Sequence, residues 1–176
     1  MAPLVFDHDR IQRFLEAAGS RLAGEWLLVG GAAAAMWFNV DRTTEDIDLL
    51  GLDGTANERL SLMELASAEN LPIESVNSAA DFFVRRVVDW RDQLEVLLRG
   101  SAATIYRPNP TLFCLLKCTR LSESDLSDCL ALIDFVDERD LTLDRERLKT
   151  ALSGLTVTED VALLTRRQTL LSALFP

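Results

Sequence analysis

The spacing of hydrophobic and polar positions changes near residue 100 of the chain. Before that point, short apolar runs predict strands at residues 26–29, 46–50, 82–90 and 94–98, with a hairpin connection at 91–93. Helical spacing predicts helices at 7–19, 32–38 and 57–69. After it, the spacing predicts helices at 111–121, 122–136, 144–152 and 159–174. We therefore expect an α/β part over residues 1–100 and a helical part over residues 101–176.

Helix-capping residues precede several of these segments. Asp7 stands before the first helix, and Asn109 is followed by a proline, which favours the first turn of a helix. Ser122 and Asp125 have the spacing of a capping box, and Thr158 precedes the last helical segment. These signals predict where the helices begin.

Composition indicates an ordinary globular chain. The 176 residues are 48% hydrophobic and 26% charged, which is too apolar for a disordered protein. No apolar run approaches the roughly 18 residues of a membrane span, so we expect no membrane partner. The N-terminus lacks a basic start followed by an apolar stretch, and the cytoplasm is the expected compartment.

Cysteine content and charge narrow the classes of function. Cys114, Cys118 and Cys129 accompany a single histidine, so we expect reduced, packed thiols rather than a zinc site. The net charge of −10 argues against general nucleic-acid binding. Positive charge is nevertheless concentrated in one short region, at Arg85, Arg86, Arg91, Arg99 and Arg107.

Two carboxylates stand two residues apart in a segment that reads as a buried strand. Residues i and i+2 of a strand share a face, so Asp46 and Asp48 project together while Ile47 and Leu49 point into the core. Two such charges about 5 Å apart repel by roughly 3 kcal/mol at an effective dielectric of 20. A divalent cation would relieve this repulsion, and oxygen ligands suit Mg²⁺.

A double glycine lies just upstream, between a predicted strand and a predicted helix. Gly30 and Gly31 leave backbone N–H groups open at a helix N-terminus, which is a favourable site for a phosphate. A plain tight turn is the alternative interpretation. A phosphate site next to a metal-binding pair supplies the groups that phosphoryl or nucleotidyl transfer needs.

The order of these residues resembles a known family. Gly30-Gly31, the run Arg42-x-Thr44-x-Asp46-Ile-Asp48 and a later strand with Glu95 resemble the nucleotidyltransferase superfamily with polymerase-beta-like folds. The similarity is greater to small bacterial members, including abortive-infection-type toxins of toxin–antitoxin pairs. Those proteins also have a downstream lysine, arginine and Asp-x-x-Asp, which match Lys117, Arg120, Asp125 and Asp128.

This resemblance implies a fold and a set of site residues. The fold would be α+β (α/β-like), with a nucleotidyltransferase-type mixed sheet flanked by helices and a C-terminal helical region packed on that core. Asp46, Asp48 and Glu95 would be the catalytic metal ligands, with Glu95 as third ligand or general base. Asp is commoner than Glu at that place, and two aspartates lie near it in sequence. The nucleotide would contact Gly30, Gly31, Arg42, Thr44 and Lys117.

Several of these side chains also have structural interpretations. Arg42 and Thr44 either touch the nucleotide or orient the loop, for example through a salt bridge to a nearby acid. Lys117 either contacts the triphosphate or lies along a helix edge with its ammonium group in solvent. Asp125 and Asp128 share a helix face and would pair with Lys117 or Arg120 as support.

The implied activity is Mg²⁺-dependent transfer of a nucleoside monophosphate from a nucleoside triphosphate to a hydroxyl group. The acceptor is a protein, an RNA or a small molecule, and a cognate antitoxin is an implied partner. We expect the apolar residues 161–175 to cover the core, to bind a partner or to provide the interface of a homodimer. The alternatives are a catalytically weak binding or regulatory module with the same fold, and an unrelated α/β protein with an incidental Asp-Ile-Asp.

Overall fold

The computed structural model describes residues 4–176, which divide into two compact units, the first ending at residue 108 and the second covering residues 109–176. The chain is α+β, with a mixed sheet in the first unit and a helical second unit, which confirms the expected fold class. The first unit extends beyond residue 100, because a strand at Ala103–Pro108 belongs to its sheet. The predicted start of the helical part at residue 101 is therefore wrong by one strand.

Five strands form the sheet of the first unit. They are β1 (Gly24–Val29), β2 (Ile47–Gly51), β3 (Val76–Asn77), β4 (Leu94–Arg99) and β5 (Ala103–Pro108). Their order across the sheet is β3-β2-β1-β5-β4. The β1–β5 and β2–β3 pairs are parallel, whereas β1–β2 and β4–β5 are antiparallel. Strand β1 is thus central, and β3 and β4 are the edges.

Four helices accompany this sheet. They are α1 (His8–Arg21), α2 (Gly30–Trp37), α3 (Ala56–Ala68) and the short α4 (Asp81–Arg85). Helix α1 begins as predicted, since the Asp7 side chain accepts a hydrogen bond from the Arg10 N–H at 2.9 Å. Its buried face, which includes Ile11 and Leu15, packs in the core of the first unit.

The predicted strand at 82–90 is wrong. Residues 81–85 form α4, in which Asp81 and Arg85 make an i,i+4 ion pair at 2.8 Å and Val84 is buried. A 3₁₀ turn at Trp90–Gln93 leads into β4, so residues 91–93 are not a hairpin connection. The hairpin partner of β4 is β5. The apolar run is not a buried strand, since Val84 is buried but Phe82 and Phe83 are 61% and 53% exposed.

The second unit consists of α5 (Pro110–Cys118), α6 (Glu123–Glu138), α7 (Arg145–Ser153) and α8 (Val161–Leu174). Helix α6 packs against α5 and α8, and α7 packs against the same two helices. Asn109 caps α5, and Ser122 with Asp125 forms the predicted capping box of α6. The cap of α8 is Asp160 rather than Thr158, whose hydroxyl instead accepts a hydrogen bond from the Asp160 N–H.

The thiols lie inside the second unit. Cys114, Cys118 and Cys129 are free and buried, which confirms reduced, packed cysteines. Burial and the nearby Cys129 raise the pKa of Cys118 to about 12. Among residues 4–176, no helix combines the length and apolarity needed to cross a membrane.

Candidate functional site

The junction of β1 and α2 brings a backbone turn against a carboxylate. Gly30 has a φ of +68°, a left-handed conformation that L side chains adopt only with strain. A Cβ atom on Gly30 would lie 2.9 Å from Oδ2 of Asp48. The register explains the approach, since Val29 and Asp48 are partners across β1 and β2. A glycine here therefore lets the Asp48 carboxylate approach the first residue of α2.

Gly31 contacts the loop that precedes β2. A Cβ atom on Gly31 would lie 3.0 Å from Oγ1 of Thr44 and 3.2 Å from Nη2 of Arg42. Backbone hydrogen bonds between Phe6 and Thr44, of 2.7 and 3.0 Å, hold this loop in place. The Arg42 guanidinium also donates to the carbonyl oxygen of Thr43. The structure thus gathers Gly30, Gly31, Arg42, Thr44 and Asp48 in one place.

Asp46 and Asp48 stand on either side of the buried Ile47, and of the two only Asp48 belongs to β2. Asp46 is exposed and immediately precedes the strand, with its N–H 3.5 Å from Oγ1 of Thr44. Asp48 is half-buried, and the intervening Ile47 and the following Leu49 are fully buried. Because these two apolar side chains share one face of β2, the Asp48 carboxylate belongs to the other face of the strand.

Glu95 lies away from these aspartates. Two strands, β1 and β5, separate β4 from β2, so the distance across the sheet is about 14 Å at roughly 4.8 Å per strand. Glu95 is opposite Arg107 on the neighbouring strand β5. When the β5–β1 register is continued by one residue, Glu95 and Arg107 fall in the same row across the sheet as Leu49 on β2. Partners in a row share a face, so Glu95 is on the opposite face of the sheet from Asp48. The structure does not bring it to the predicted place of a third metal ligand.

Glu95 has a structural partner instead. Its carboxylate forms an ion pair with Nη2 of Arg107 at 2.6 Å, and the Arg107 side chain is only 15% exposed. The guanidinium of Arg107 also lies 3.7 Å from the ring centre of Trp37 on α2. Burial lowers the pKa of Arg107, although the neighbouring Glu95 carboxylate opposes this effect. Glu95 therefore compensates a largely buried guanidinium.

The residue beside Asp48 on the outer side is Asn77. It is the partner of Asp48 across β2 and β3, and it is half-buried. Its side-chain oxygen accepts a hydrogen bond from the Ala79 N–H at 3.0 Å. Sequence reasoning missed Asn77, because a two-residue strand has no periodicity that would reveal it. Within residues 4–176, no cluster of three or more His, Cys, Asp or Glu side chains is suitable for a metal ion.

Lys117 lies within the second unit in a cluster of buried charges. Its Nζ donates to Oδ1 of Asp125 at 3.0 Å and to Oδ2 of Asp128 at 2.8 Å. Arg120 forms two parallel hydrogen bonds with Asp125, and the Ser122 N–H and hydroxyl donate to the same carboxylate. The Lys117 side chain is 8% exposed, and each aspartate side chain is 1% exposed. The predicted pairing of these acids with Lys117 and Arg120 is confirmed.

The cluster shifts the pKa of Lys117 and the pKa of Asp125 in opposite directions. Burial lowers the pKa of Lys117, but the charges of Asp128 and Asp125 outweigh burial and hold it above its ordinary value. Burial raises the pKa of Asp125, but hydrogen bonds from Arg120 and the charge of Lys117 outweigh it and hold the pKa well below the ordinary value. Lys117 and Asp125 are thus charged at neutral pH and compensate each other in the buried cluster.

The chain matches no family model, no curated protein and no solved structure. The chemistry of the site must therefore be argued from its own residues.

The residues of the first unit suit a magnesium-bound phosphate chain. Asp46 and Asp48 offer carboxylate oxygens, and Mg²⁺ is commonly held by one or two carboxylates together with substrate phosphates. The Asp48 carboxylate lies in the space that a Cβ on Gly30 would fill, so any larger residue at position 30 would occupy that space. The side chain of Val29 forms no cap hydrogen bond to the start of α2. The donor set is thus all oxygen beside a helix N-terminus, which favours anions.

Proposed function

We propose that the chain is a metal-dependent nucleotidyltransferase that transfers a nucleoside monophosphate from a nucleoside triphosphate to a hydroxyl group. The observation that supports this proposal is the contact between the Gly30-Gly31 turn and the segment from Arg42 to Asp48. This contact puts open backbone N–H groups at the start of α2 next to a carboxylate, the two kinds of group that a magnesium-bound phosphate needs.

Each residue has a role in this proposal. The backbone N–H groups of Gly30 and Gly31 bind phosphate oxygens, and the absence of side chains lets the phosphates come close. Asp46 and Asp48 hold Mg²⁺, which when bound neutralises phosphate charge and polarises the phosphorus centre that reacts. Arg42, next to Gly31, supplies positive charge on the phosphate side of the turn. Thr44 orients the loop between the turn and the acids.

A binding test addresses the site without assuming an acceptor. We expect Mg²⁺ with a nucleoside triphosphate to raise the melting temperature of the wild-type protein, because a ligand of the native state stabilises it. The double variant Asp46→Asn/Asp48→Asn should lose this rise. Glu45→Gln is the matched control, since it removes an exposed charge from the same loop and should keep the rise. A rise that persists in the double variant contradicts the proposal.

A transfer test follows, with triphosphate labelled at the α-phosphate. Label should move to an acceptor, with release of pyrophosphate, when protein, RNA or small hydroxylated molecules are supplied. Transfer should cease in the double variant and continue in Glu45→Gln. The classes of acceptor and the antitoxin partner are proposed from the family resemblance. The labelled product would identify the acceptor.

A second candidate function is a binding or regulatory module with little turnover. The observation that favours it is Glu95, which is on the opposite face of the sheet and paired with Arg107. Asn77 beside Asp48 provides an amide rather than a carboxylate. Binding of the magnesium triphosphate without release of pyrophosphate would favour this module over the enzyme.

A further inference from the structure

A second concave site lies in the first unit, between α3, α4 and the end of β2. This cavity has a volume of about 380 Å³, within the range of small-molecule sites, roughly 300–1,000 Å³. Its apolar wall includes Leu50, Leu62, Ala79 and Phe82. The roles assigned above to the Gly30 turn and to Asp46 and Asp48 use none of these residues.

The charged groups on the cavity wall are held in fixed positions. The carboxylate of Glu58 accepts a hydrogen bond from the Gly54 N–H at 3.0 Å and covers Gly51, where a Cβ atom would lie 1.9 Å from its Cδ. Arg85 donates through Nε to both oxygens of Asp81 at 2.8 and 2.9 Å, and through Nη2 to the Gly51 carbonyl at 3.3 Å. These hydrogen bonds and the ion pair therefore hold the charged groups in place on the cavity wall.

Further groups on the wall can still bind a ligand. The Arg59 side chain is exposed and makes no hydrogen bond or ion pair with the residues that the structure describes. The Thr55 hydroxyl makes no cap bond at the start of α3, and Ser78 adds a second hydroxyl. Phe82 presents an aromatic ring that is 61% exposed, with the Arg86 guanidinium 5.1 Å from its centre. An aromatic surface beside hydroxyls, a carboxylate and a guanidinium is complementary to a flat heterocycle joined to a sugar.

We propose that this cavity binds a nucleoside, with its base stacked on Phe82 and its hydroxyl and ring polar groups facing Glu58, Arg59 and Ser78. The proposal deepens the proposed function and rests on it for its biological meaning. Leu50 lines the cavity two residues after Asp48 on β2, about 7 Å along the strand, and Ser78 follows Asn77, the partner of Asp48. The nucleoside is thus either part of the triphosphate or the end of an acceptor.

Binding of free nucleosides tests the cavity directly. Adenosine, guanosine, cytidine and uridine at millimolar concentration, without magnesium, should shift protein NMR signals of residues around the cavity, with one base preferred. Phe82→Ala should weaken this binding about fivefold or more, since stacking on an aromatic side chain contributes strongly to base binding. Phe175→Ala is the matched control, because Phe175 is also exposed, at 41%, lies in the second unit and does not line the cavity.

A second variant fills the cavity without depending on stacking. Ala79 is exposed and lines the cavity, so Ala79→Trp should abolish nucleoside binding while leaving the fold intact. Ala68→Trp places the same side chain at an exposed position of α3 outside the cavity and should bind normally. Absence of nucleoside binding to the wild type, or binding unchanged in both Phe82→Ala and Ala79→Trp, would overturn the proposal.

Two further arms separate the sources of the nucleoside and the two proposals. Displacement of the nucleoside by the magnesium triphosphate of the same base supports the triphosphate as its source, whereas simultaneous binding supports an acceptor. Nucleoside binding should persist in Asp46→Asn/Asp48→Asn, because those side chains do not line the cavity. If the triphosphate tests fail while nucleoside binding is intact, the proposed function is refuted and the proposal of a nucleoside site in the cavity stands.

Discussion

Removal of the Lys117 ammonium group is expected to destabilise the second unit strongly. Its Nζ lies 2.8 and 3.0 Å from two carboxylates whose side chains are 1% exposed. Each contact contributes about 5–6 kcal/mol of Coulomb energy at an effective dielectric of 20, offset by a desolvation cost of several kcal/mol per ion. Lys117→Met keeps the length of the side chain but leaves the two acids without this cation. We expect the free energy of unfolding to fall by about 3–5 kcal/mol.

Chemical denaturation followed by circular dichroism measures this loss, and a surface lysine provides the control. Lys149 pairs with Glu146 at 3.7 Å, with side chains 53% and 73% exposed, so Lys149→Met should cost at most about 1 kcal/mol. Equal small losses in the two variants would refute the reasoning. A stable Lys117→Met protein that has lost only its affinity for the magnesium triphosphate would instead support the nucleotide-binding role that the resemblance implies for Lys117.

Three more predictions follow from the packing and the pKa shifts. Gly100→Ala should lower the free energy of unfolding by about 1–3 kcal/mol, because its Cβ would lie 2.1 Å from the Gly19 carbonyl oxygen. Gly154→Ala, whose nearest contact is 3.4 Å, should change it by less than about 1 kcal/mol in the same denaturant titration. The lowered pKa of Asp125 gives stability that is present above its unfolded value of about 3.9 and is lost as pH falls toward the folded value. Asp125→Asn should therefore flatten the decline of melting temperature from about pH 5 to pH 3, and an unchanged slope would contradict this. Because the pKa of Cys118 is about 12, iodoacetamide at neutral pH should label this thiol only after denaturation, as peptide mass spectrometry would show.

Helix starts were predictable because their signals are local. The Asp7, Asn109 and Ser122 side chains each accept a hydrogen bond from an N–H three residues on, so a short stretch of sequence contains both partners. Thr158 failed as a cap because Asp160, two residues later, bonds the first N–H groups of α8 instead. Competing caps so close together are resolved by geometry that spacing does not contain.

Strand pairing was less predictable because partners are distant in sequence. Strand β5 pairs in parallel with β1, and no turn signal links the two. Its inward positions, Ala103 and Ile105, alternate as a strand requires, but two such residues are a weak pattern. The apolar run at 82–90 was the stronger strand signal, yet the Asp81–Arg85 pair and the left-handed backbone of Asp89 belong to helix and turn.

The same difference between contacts near in sequence and contacts distant in sequence applies to the candidate site. Gly30, Gly31 and Asp48 lie within twenty residues of one another, and one antiparallel pairing suffices to bring them together. The position of Glu95 depends on two further pairings and on which face of β4 it occupies. A strand shift of one residue reverses that face, so no sequence spacing could decide it.

The placement of Glu95 changes what the proposed reaction demands of the remaining residues. In the proposed reaction, Asp46 and Asp48 would hold the magnesium-bound triphosphate without Glu95, because such binding needs one or two carboxylates and the phosphates themselves. Activation of the acceptor hydroxyl needs a group that takes up a proton, and the amide of Asn77 beside Asp48 cannot do so. The proposal therefore predicts that binding and turnover depend on different residues. Tight binding of the triphosphate with no transfer would locate the deficiency at the acceptor step, whereas loss of binding in the aspartate variants tests the site itself.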